Sequence, residues 1–286
     1  SLDADCTVEK NYFTALFSEL YNRKHNKACS IYFEHPLDGN DFSSEIYNYI
    51  IQYELHLRYY LQGLKYAGYP FAFHTVGSSM AVKASSYLSC GGMNRKQAGE
   101  DFYFIQKLMP PGGYFALNST TVYPSPRESS RVPFGTGAAM RSLKGSSDNY
   151  YMTYNIEAFK ELRLLFSLTG ELYRSDSSQI ASFRNSLPPG LKTFFREDEF
   201  LTSLTEIKGN TSSPDSFSKR FYTWFNMFMI VKYLNHVSSG MFDKQPVAEV
   251  ALMLLKITGK KTCYATLQEL LEYYRSLERG VNYSSW

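Results

Sequence analysis

The 286-residue sequence has few cysteines, little net charge and no long apolar run. Its four cysteines are far apart and form no Cys-x-x-Cys pair, which excludes a disulfide-dense scaffold and favours a reducing compartment. A formal net charge of +3 does not indicate a nucleic-acid-binding protein. We find no signal peptide, and the most apolar stretch, residues 224–234, is too short to span a bilayer. We expect a cytoplasmic protein, with peripheral association at the inner face of a membrane as an alternative.

Aromatic residues are abundant, with 24 tyrosines and 21 phenylalanines. Tyrosine-rich clefts stack flat rings and sugar faces, although the same residues also build ordinary cores. The remaining composition is that of a globular protein with one large domain or two modest ones.

The first half of the chain alternates helix and strand patterns. Apolar runs predict strands at residues 28–33, 71–83 and 114–123, the second one interrupted at Gly77. Helical spacing predicts one helix within residues 5–21, with Tyr12, Phe13, Leu16, Phe17 and Leu20 on one face, and another from Ser43 or Ser44 to about Tyr66. Residues 124–137 are too rich in proline, glycine and serine for regular structure and predict a connector or a lid.

The second half has mainly helical apolar spacing, including one run over residues 221–234. We therefore expect an α/β domain at residues 1–148 and a mostly α-helical region at residues 149–286.

An acidic pair, Glu100-Asp101, follows Gly99 and opens a helical pattern. Carboxylates in the first turn of a helix are favoured by the helix dipole, so a capping role is the simpler interpretation. In a cleft, Asp101 could instead act as a general base.

A second acidic pair, Asp3 and Asp5, flanks a single residue. On an extended strand end both carboxylates would point the same way and could share a hard divalent cation. The alternative is a solvated turn, which this short motif more often forms.

Three other residues are candidates for substrate contacts. His74 could contact a sugar or phosphate, or simply be a hydrogen-bonded core histidine. Arg127 and Arg131, four residues apart in the predicted lid, suit phosphate oxygens, with surface solvation as the alternative.

Four motifs occur in a fixed order: Leu-Asp-Ala-Asp at residues 2–5, Gly-Ser-Ser-Met-Ala-Val-Lys at 77–83, Gly-Gly-Met at 91–93 and Ala-Gly-Glu-Asp at 98–101. Together they resemble glycosyltransferase family 2, whose members have the GT-A fold, a Rossmann-like α/β catalytic domain. The resemblance extends from residue 1 to about residue 137.

The resemblance implies an inverting glycosyltransferase of the hexosyltransferase type. It implies Mg²⁺ or Mn²⁺ on Asp3 and Asp5, with Asp5 making the direct contact, and Asp101 as the catalytic base beside Glu100. Gly77, Ser78 and Ser79 would line the donor and acceptor cleft. The expected partners are a nucleotide-sugar donor, most simply a UDP-sugar, and a saccharide or lipid-linked acceptor, and the implied biological context is polysaccharide biosynthesis.

Two features depart from the family pattern. The family's first nucleotide-binding strands precede the Asp-x-Asp motif, whereas here the motif lies at the first residues and no initiator methionine is present. We therefore expect a fragment of a longer protein, lacking most of the nucleotide site and inactive on that account. The Gln-x-x-Arg-Trp signature of processive synthases is also missing, which favours single transfer.

Two other functional classes fit the same residues. One is a non-catalytic GT-A-like protein that binds a sugar or a partner, and the other is a nucleotidyltransferase. The retention of all three candidate carboxylates argues against the first, and the identity of the released product would separate the second.

Overall fold

The computed structural model describes residues 1–93, 99–129, 135–145 and 150–280. The described chain is mixed α/β, with helices in the majority around a curled four-stranded sheet. No helix in these ranges is both long and apolar enough to cross a membrane.

The sheet is mixed in direction and has the strand order β1-β4-β2-β3. Its strands are β1 Thr7–Val8, β2 Ala28–Phe33, β3 Met80–Val82 and β4 Tyr114–Tyr123. The two central strands, β2 and β4, are parallel, and an edge strand pairs antiparallel with each of them. The central strand β2 is buried along its whole length, which explains its unbroken apolar sequence.

Five helices belong to the part of the chain that supplies this sheet. They are α1 Tyr12–Ala15, which continues as a π-helical turn over Leu16–Tyr21, then α2 Ser44–Ala67, α3 Ala84–Ser89, α4 Glu100–Leu108 and α5 Thr136–Lys144. The predictions of β2, β4, α2 and the helix at Glu100 are confirmed.

The central helix α2 has clear signals at both ends. The Ser43 hydroxyl accepts a hydrogen bond from the Ile46 amide, which satisfies one of the first N–H groups of the helix. Gly68 closes the helix with φ at 82°, a left-handed conformation that glycine adopts without steric cost. Most of the 24 residues of α2 lie in the core, so this helix carries the packing between the sheet and the later helices.

The rest of the described chain is helical apart from one small pairing. Its helices are α6 Ile156–Ser167, α7 Thr169–Arg174, α8 Ser177–Ser186, α9 Pro189–Phe194, α10 Glu197–Gly209, α11 Pro214–Trp224, α12 Met227–Val237, α13 Val247–Ile257 and α14 Leu267–Arg279. The strands β5 Met152–Thr153 and β6 Gln245–Pro246 pair antiparallel. Helix α2 packs against α6, α13 and α14, so one core joins both halves. The division at residues 148 and 149 stays a prediction.

Three local predictions are wrong. Within residues 71–83 only Met80–Val82 is a strand, because the Gly77–Ser79 segment turns in a 3₁₀ conformation before it. The predicted apolar face of α1 is divided, since Tyr12 and Leu20 are buried whereas Phe13 and Phe17 are exposed. The run over residues 221–234 is two helices, and Asn226 caps the second one by accepting from the Phe228 amide.

Candidate functional site

The candidate site is built around the approach of Asp101 to Gly77. Helix α4 begins after Gly99, which has φ at 75°, and its first turn carries both Glu100 and Asp101. The carboxylate of Asp101 lies against the backbone of Gly77, where an added Cβ would overlap it. Gly77 is therefore required for space, since its φ is outside the left-handed region. Gly77 interrupts the strand predicted from the sequence, and the structure places the Asp101 carboxylate against it.

The environment of Asp101 favours its protonated form. Burial raises its pKa above the ordinary value of 3.8, and the negative charges of Glu100 and Asp3 raise it further, against the opposing charge of the Ser1 amino group. A carboxylate that binds protons more tightly than usual is suited to accept one during a reaction.

Asp3 lies near this carboxylate, and Asp5 follows two residues later in the exposed first turn of the chain. Asp3 is close enough to act on the pKa of Asp101, and its carbonyl oxygen accepts a hydrogen bond of 3.1 Å from the Cys6 amide. Asp5 forms an ion pair with Arg127. Asp3 thus links Asp101 to the turn that holds the ion pair of Asp5 and Arg127, whereas Arg131 lies outside the described residues.

The floor of the site is the 3₁₀ turn that leads into β3. Ser78 and Ser79 are both buried, and the Ser78 hydroxyl contacts the Cys6 thiol. Burial raises the pKa of Cys6, so this thiol is protonated and unreactive at neutral pH. The Ser79 hydroxyl is buried and has no hydrogen-bond partner among the described residues. An unsatisfied buried hydroxyl is unusual, and it gives this turn a free polar group next to Gly77.

His74 belongs to a different place. Its Nε2 is 2.9 Å from the Glu278 Oε2 on α14, and its ring packs edge-on against Phe33. Of the two interpretations of His74 in the sequence analysis, this placement corresponds to the hydrogen-bonded core histidine.

His74 is part of a buried charge cluster that the sequence analysis missed. We use the name buried charge cluster for Glu54, Arg58, Arg275 and Glu278 with the imidazoles of His35 and His74. Arg58 Nη1 donates to the Glu278 Oε2 at 2.8 Å, and Arg275 Nε donates to the Glu54 Oε1 at 2.7 Å. The cluster joins α2 to α14 and to the end of β2. Each of its two carboxylates is paired with a guanidinium.

The ionised state of this cluster results from opposing effects. Burial opposes ionisation of Glu54, but the charges of Arg58 and Arg275 outweigh it and hold the pKa of Glu54 well below 4.5. Burial likewise opposes the charge of Glu278, and Arg58 with His74 lowers its pKa. Both carboxylates are therefore charged at neutral pH.

Two small clefts lie beside these elements. One, of about 90 Å³, is lined by Lys65, His74, Asn118 and Glu278 among others, and the Glu278 Oε1 has no partner among the described residues. The other, of about 70 Å³, is lined by Tyr69, Gln106 and Asn226 among others. Neither cleft is lined by Asp3, Asp5 or Asp101.

Asp3 and Asp5 are the carboxylates in this region that could bind a divalent cation. Within the described residues, no group of three or more His, Cys, Asp or Glu side chains is arranged to hold a metal ion. Asp3 and Asp5 do offer hard oxygen ligands on exposed backbone, and Mg²⁺ commonly takes only one or two carboxylates together with substrate phosphates and water. The donor set therefore fits a metal that is completed by substrate, with the Arg127 guanidinium as a competitor for Asp5.

Sequence reasoning missed the cluster because its partners are far apart along the chain. One local signal was available, the spacing of Glu54 and Arg58 by four residues inside an otherwise apolar helical stripe. A charged pair on a buried face requires additional partners, but nothing in the sequence identifies them as Arg275 and Glu278.

Comparison with protein-family models, with curated proteins and with solved structures finds no match for this chain.

Proposed function

We propose that this chain carries the acceptor half and the metal motif of an inverting glycosyltransferase with a GT-A catalytic domain. Such an enzyme moves a sugar from a nucleotide-diphosphate donor to a hydroxyl of a saccharide or lipid-linked acceptor. The observation that carries the proposal is the packing of the Asp101 carboxylate on Gly77 within electrostatic reach of Asp3. Gly77 and Asp101, which lie 74 and 98 residues after Asp3 in the sequence, thereby meet it at one surface.

Asp101 has the properties of the general base. The acceptor hydroxyl attacks the anomeric carbon, and the bond from that carbon to the diphosphate oxygen breaks. The electron pair leaves with the nucleoside diphosphate, and Asp101 takes the hydroxyl proton. Its raised pKa supports this role, because proton transfer is more favourable to a more basic carboxylate.

Asp3, Asp5 and Arg127 would serve the leaving group. A Mg²⁺ or Mn²⁺ on the two carboxylates would offset the charge of the departing diphosphate. Arg127, which pairs with Asp5, has a guanidinium that can bind two phosphate oxygens once it is released. The absence of a side chain at Gly77 leaves room for the Asp101 carboxylate, and Glu100 helps to hold the pKa of Asp101 high.

The non-catalytic alternative is supported by one observation. The ion pair between Arg127 and Asp5 occupies one of the two metal carboxylates, as it would in a protein that binds no metal. A nucleotidyltransferase would use the same carboxylates but release diphosphate instead of a nucleoside diphosphate.

The test is calorimetric titration of UDP into the full-length protein with and without Mn²⁺. Metal-dependent binding that Asp3→Asn and Asp5→Asn abolish, but that Asp198→Asn retains, would support the donor site. Asp198 is a suitable control because it is an exposed carboxylate on α10. Screening of donors and acceptors with the protein and with Asp101→Asn then identifies the released product.

Two results would count against the proposal. Failure of UDP, GDP and dTDP to bind under any metal condition would favour the non-catalytic protein. Release of diphosphate would favour the nucleotidyltransferase.

A further inference from the structure

Three aromatic side chains form an exposed row on the helix after the candidate site. We use the name aromatic face for Phe13, Phe17 and Tyr21, which are 77%, 55% and 69% exposed. They are spaced by four residues along α1 and its π-helical continuation, and the rings of Phe17 and Tyr21 stack with centroids 5.4 Å apart. Isolated exposed apolar residues are ordinary, but an aligned row of three large aromatic rings is a typical interaction surface.

The opposite side of the same helix is already packed against the core. Tyr12 and Leu20 pack on the sheet with the side chains of Cys29, Ile31 and Leu117, and Ala15 is also buried. The helix therefore needs no further partner for folding. The exposed rings of the aromatic face are therefore not part of the apolar side that packs this helix on the core.

The segment that carries the aromatic face also holds the net charge of the chain. Residues 10–27 include four cations, Lys10, Arg23, Lys24 and Lys27, against the single acid Glu19, a net of +3. The whole chain has 30 Lys and Arg against 27 Asp and Glu, so removing this segment leaves 26 of each. All four cations of the segment are exposed. The excess positive charge is thus concentrated next to the exposed rings.

The one acid of the segment is directed away from this charge. The Glu19 carboxylate accepts a hydrogen bond from the Ser119 hydroxyl on β4. The loop after Tyr21 is held to the start of α3 by two contacts: Lys83 Nζ donates to the Arg23 carbonyl oxygen at 2.8 Å, and the Lys83 amide donates to the Lys27 carbonyl oxygen at 2.9 Å. The basic loop therefore has a fixed position, and α3 adds the 75% exposed Leu88 beyond it.

We infer that the aromatic face and the basic loop at residues 23–27 bind the surface of an anionic lipid bilayer. Aromatic rings favour the interface between headgroups and acyl chains, and lysines and arginines beside them are attracted to anionic headgroups. A short helix with Phe and Tyr on one side and a cationic loop at its end combines both contributions. Charge complementarity selects this partner over a second copy of the chain, because two copies of this surface would repel each other.

The inference is independent of glycosyl transfer, since vesicle binding requires neither donor nor metal. If both proposals hold, the surface would place Asp3 and Asp5, which lie within ten residues of the start of α1 in the sequence, close to a lipid-linked acceptor.

The test is sedimentation of the full-length protein with vesicles of phosphatidylcholine alone and of phosphatidylcholine mixed equally with phosphatidylglycerol. We expect binding to the anionic vesicles, weakened at least tenfold by high salt and absent from the neutral ones. Phe17→Ser/Tyr21→Ser and Arg23→Glu/Lys24→Glu should each reduce binding about tenfold or more. All these side chains are exposed, so the fold should be preserved, which circular dichroism would verify.

Two matched control variants distinguish binding through this surface from nonspecific binding to vesicles. Leu164→Ser replaces an exposed apolar side chain on α6, and Lys260→Glu/Lys261→Glu reverses two exposed charges after α13, and neither should alter binding. Equal binding to neutral vesicles, no binding at all, or equal loss in the controls would overturn the inference. Concentration-dependent self-association that the Phe17 and Tyr21 changes abolish, without vesicle binding, would assign the face to a second copy instead.

Discussion

Glu54 and Arg58 lie one turn apart on α2 with both side chains fully buried, and Arg58 Nη2 is 2.8 Å from the Glu54 Oε1. Each ion depends on a second partner from α14, Arg275 for the carboxylate and Glu278 for the guanidinium. Arg58 also lies near the rings of Tyr32 and Phe33, with its central carbon about 5 Å from each ring centroid. The pair is therefore the centre of a network rather than an isolated bond.

Removal of Arg58 should destabilise the fold strongly. Arg58→Ala removes a positive charge that pairs with the buried carboxylates of Glu54 and Glu278. We expect the free energy of unfolding to fall by about 3–5 kcal/mol. Urea denaturation would measure it. Lys160→Ala is the control, because Lys160 pairs with Glu157 on the exposed surface of α6 and such pairs contribute less than about 1 kcal/mol. A loss of similar size in both variants would contradict the role of the cluster.

Gly77→Ala should displace Asp101 and leave the fold intact. The new Cβ would occupy the space of the Asp101 carboxylate, which must move outward. A misplacement of about 1 Å at a reacting group lowers turnover roughly 100-fold. Transfer activity and thermal unfolding should be measured together. Gly170→Ala is the matched control, since its Cβ would meet nothing within 4 Å. Full activity in Gly77→Ala would show that the contact with Asp101 has no role in turnover.

The titration of Asp101 can be tested without any substrate. Burial and the charges of Glu100 and Asp3 raise its pKa above 3.8, so Glu100→Gln should lower that pKa towards the ordinary value. Carboxyl ¹³C NMR as a function of pH would measure the pKa of Asp101 in the protein and in Glu100→Gln. In the same spectra Asp176, whose carboxylate accepts from the Gln179 amide, should titrate below 3.8. If Asp101 is the base, the transfer rate should rise with pH as Asp101 loses its proton. An Asp101 pKa below that of Asp176 would contradict the described environment.

His56 should make the protein less stable at mildly acidic pH. Its imidazole is packed among Tyr53, Tyr151 and Tyr154, and burial, aided by the charge of Lys244, lowers its pKa from 6.5 to about 3. Below pH 6.5 the His56 imidazole is therefore protonated in the unfolded chain but stays neutral in the folded chain. The unfolding free energy should fall by at most about 1.4 kcal/mol for each pH unit below 6.5.

His56→Gln removes this titration, so its stability should depend less on pH between 6.5 and 5. Denaturant unfolding at a series of pH values would compare the two proteins. Parallel curves would show that His56 titrates normally in the folded state.

The elements with strong local signals were predictable. Helix α2 has a serine cap, a long apolar stripe and a left-handed glycine, and each of these can be read directly from neighbouring residues. The continuous apolar sequence of β2 likewise indicated a strand buried on both faces. Residues 71–76 misled the prediction because their apolar side chains pack on the core from an irregular backbone, for which the sequence has no distinct pattern.

The candidate site was predictable only in part. The resemblance to glycosyltransferases selected Asp3, Asp5, Asp101 and Gly77, and the fold brings Asp101 against Gly77 and within electrostatic reach of Asp3. The ion pair between Asp5 and Arg127 could not be predicted, because it depends on how the segment after β4 returns to the first residues. The placement of His74 depends on α14, which approaches it from 204 residues away along the sequence.

The long separation between α2 and α14 has a consequence for how the protein is made. Arg275 follows Glu54 by 221 residues, so a ribosome completes α2 well before the partner of its carboxylate has been synthesised. At about 5–20 residues per second, this interval lasts roughly 10–45 seconds. During that time the growing chain cannot close the core around α2 without enclosing an incompletely neutralised ion. Full neutralisation of the Glu54 carboxylate on α2 therefore requires α14, and a nascent chain halted before Arg275 should remain accessible to chaperones and proteases.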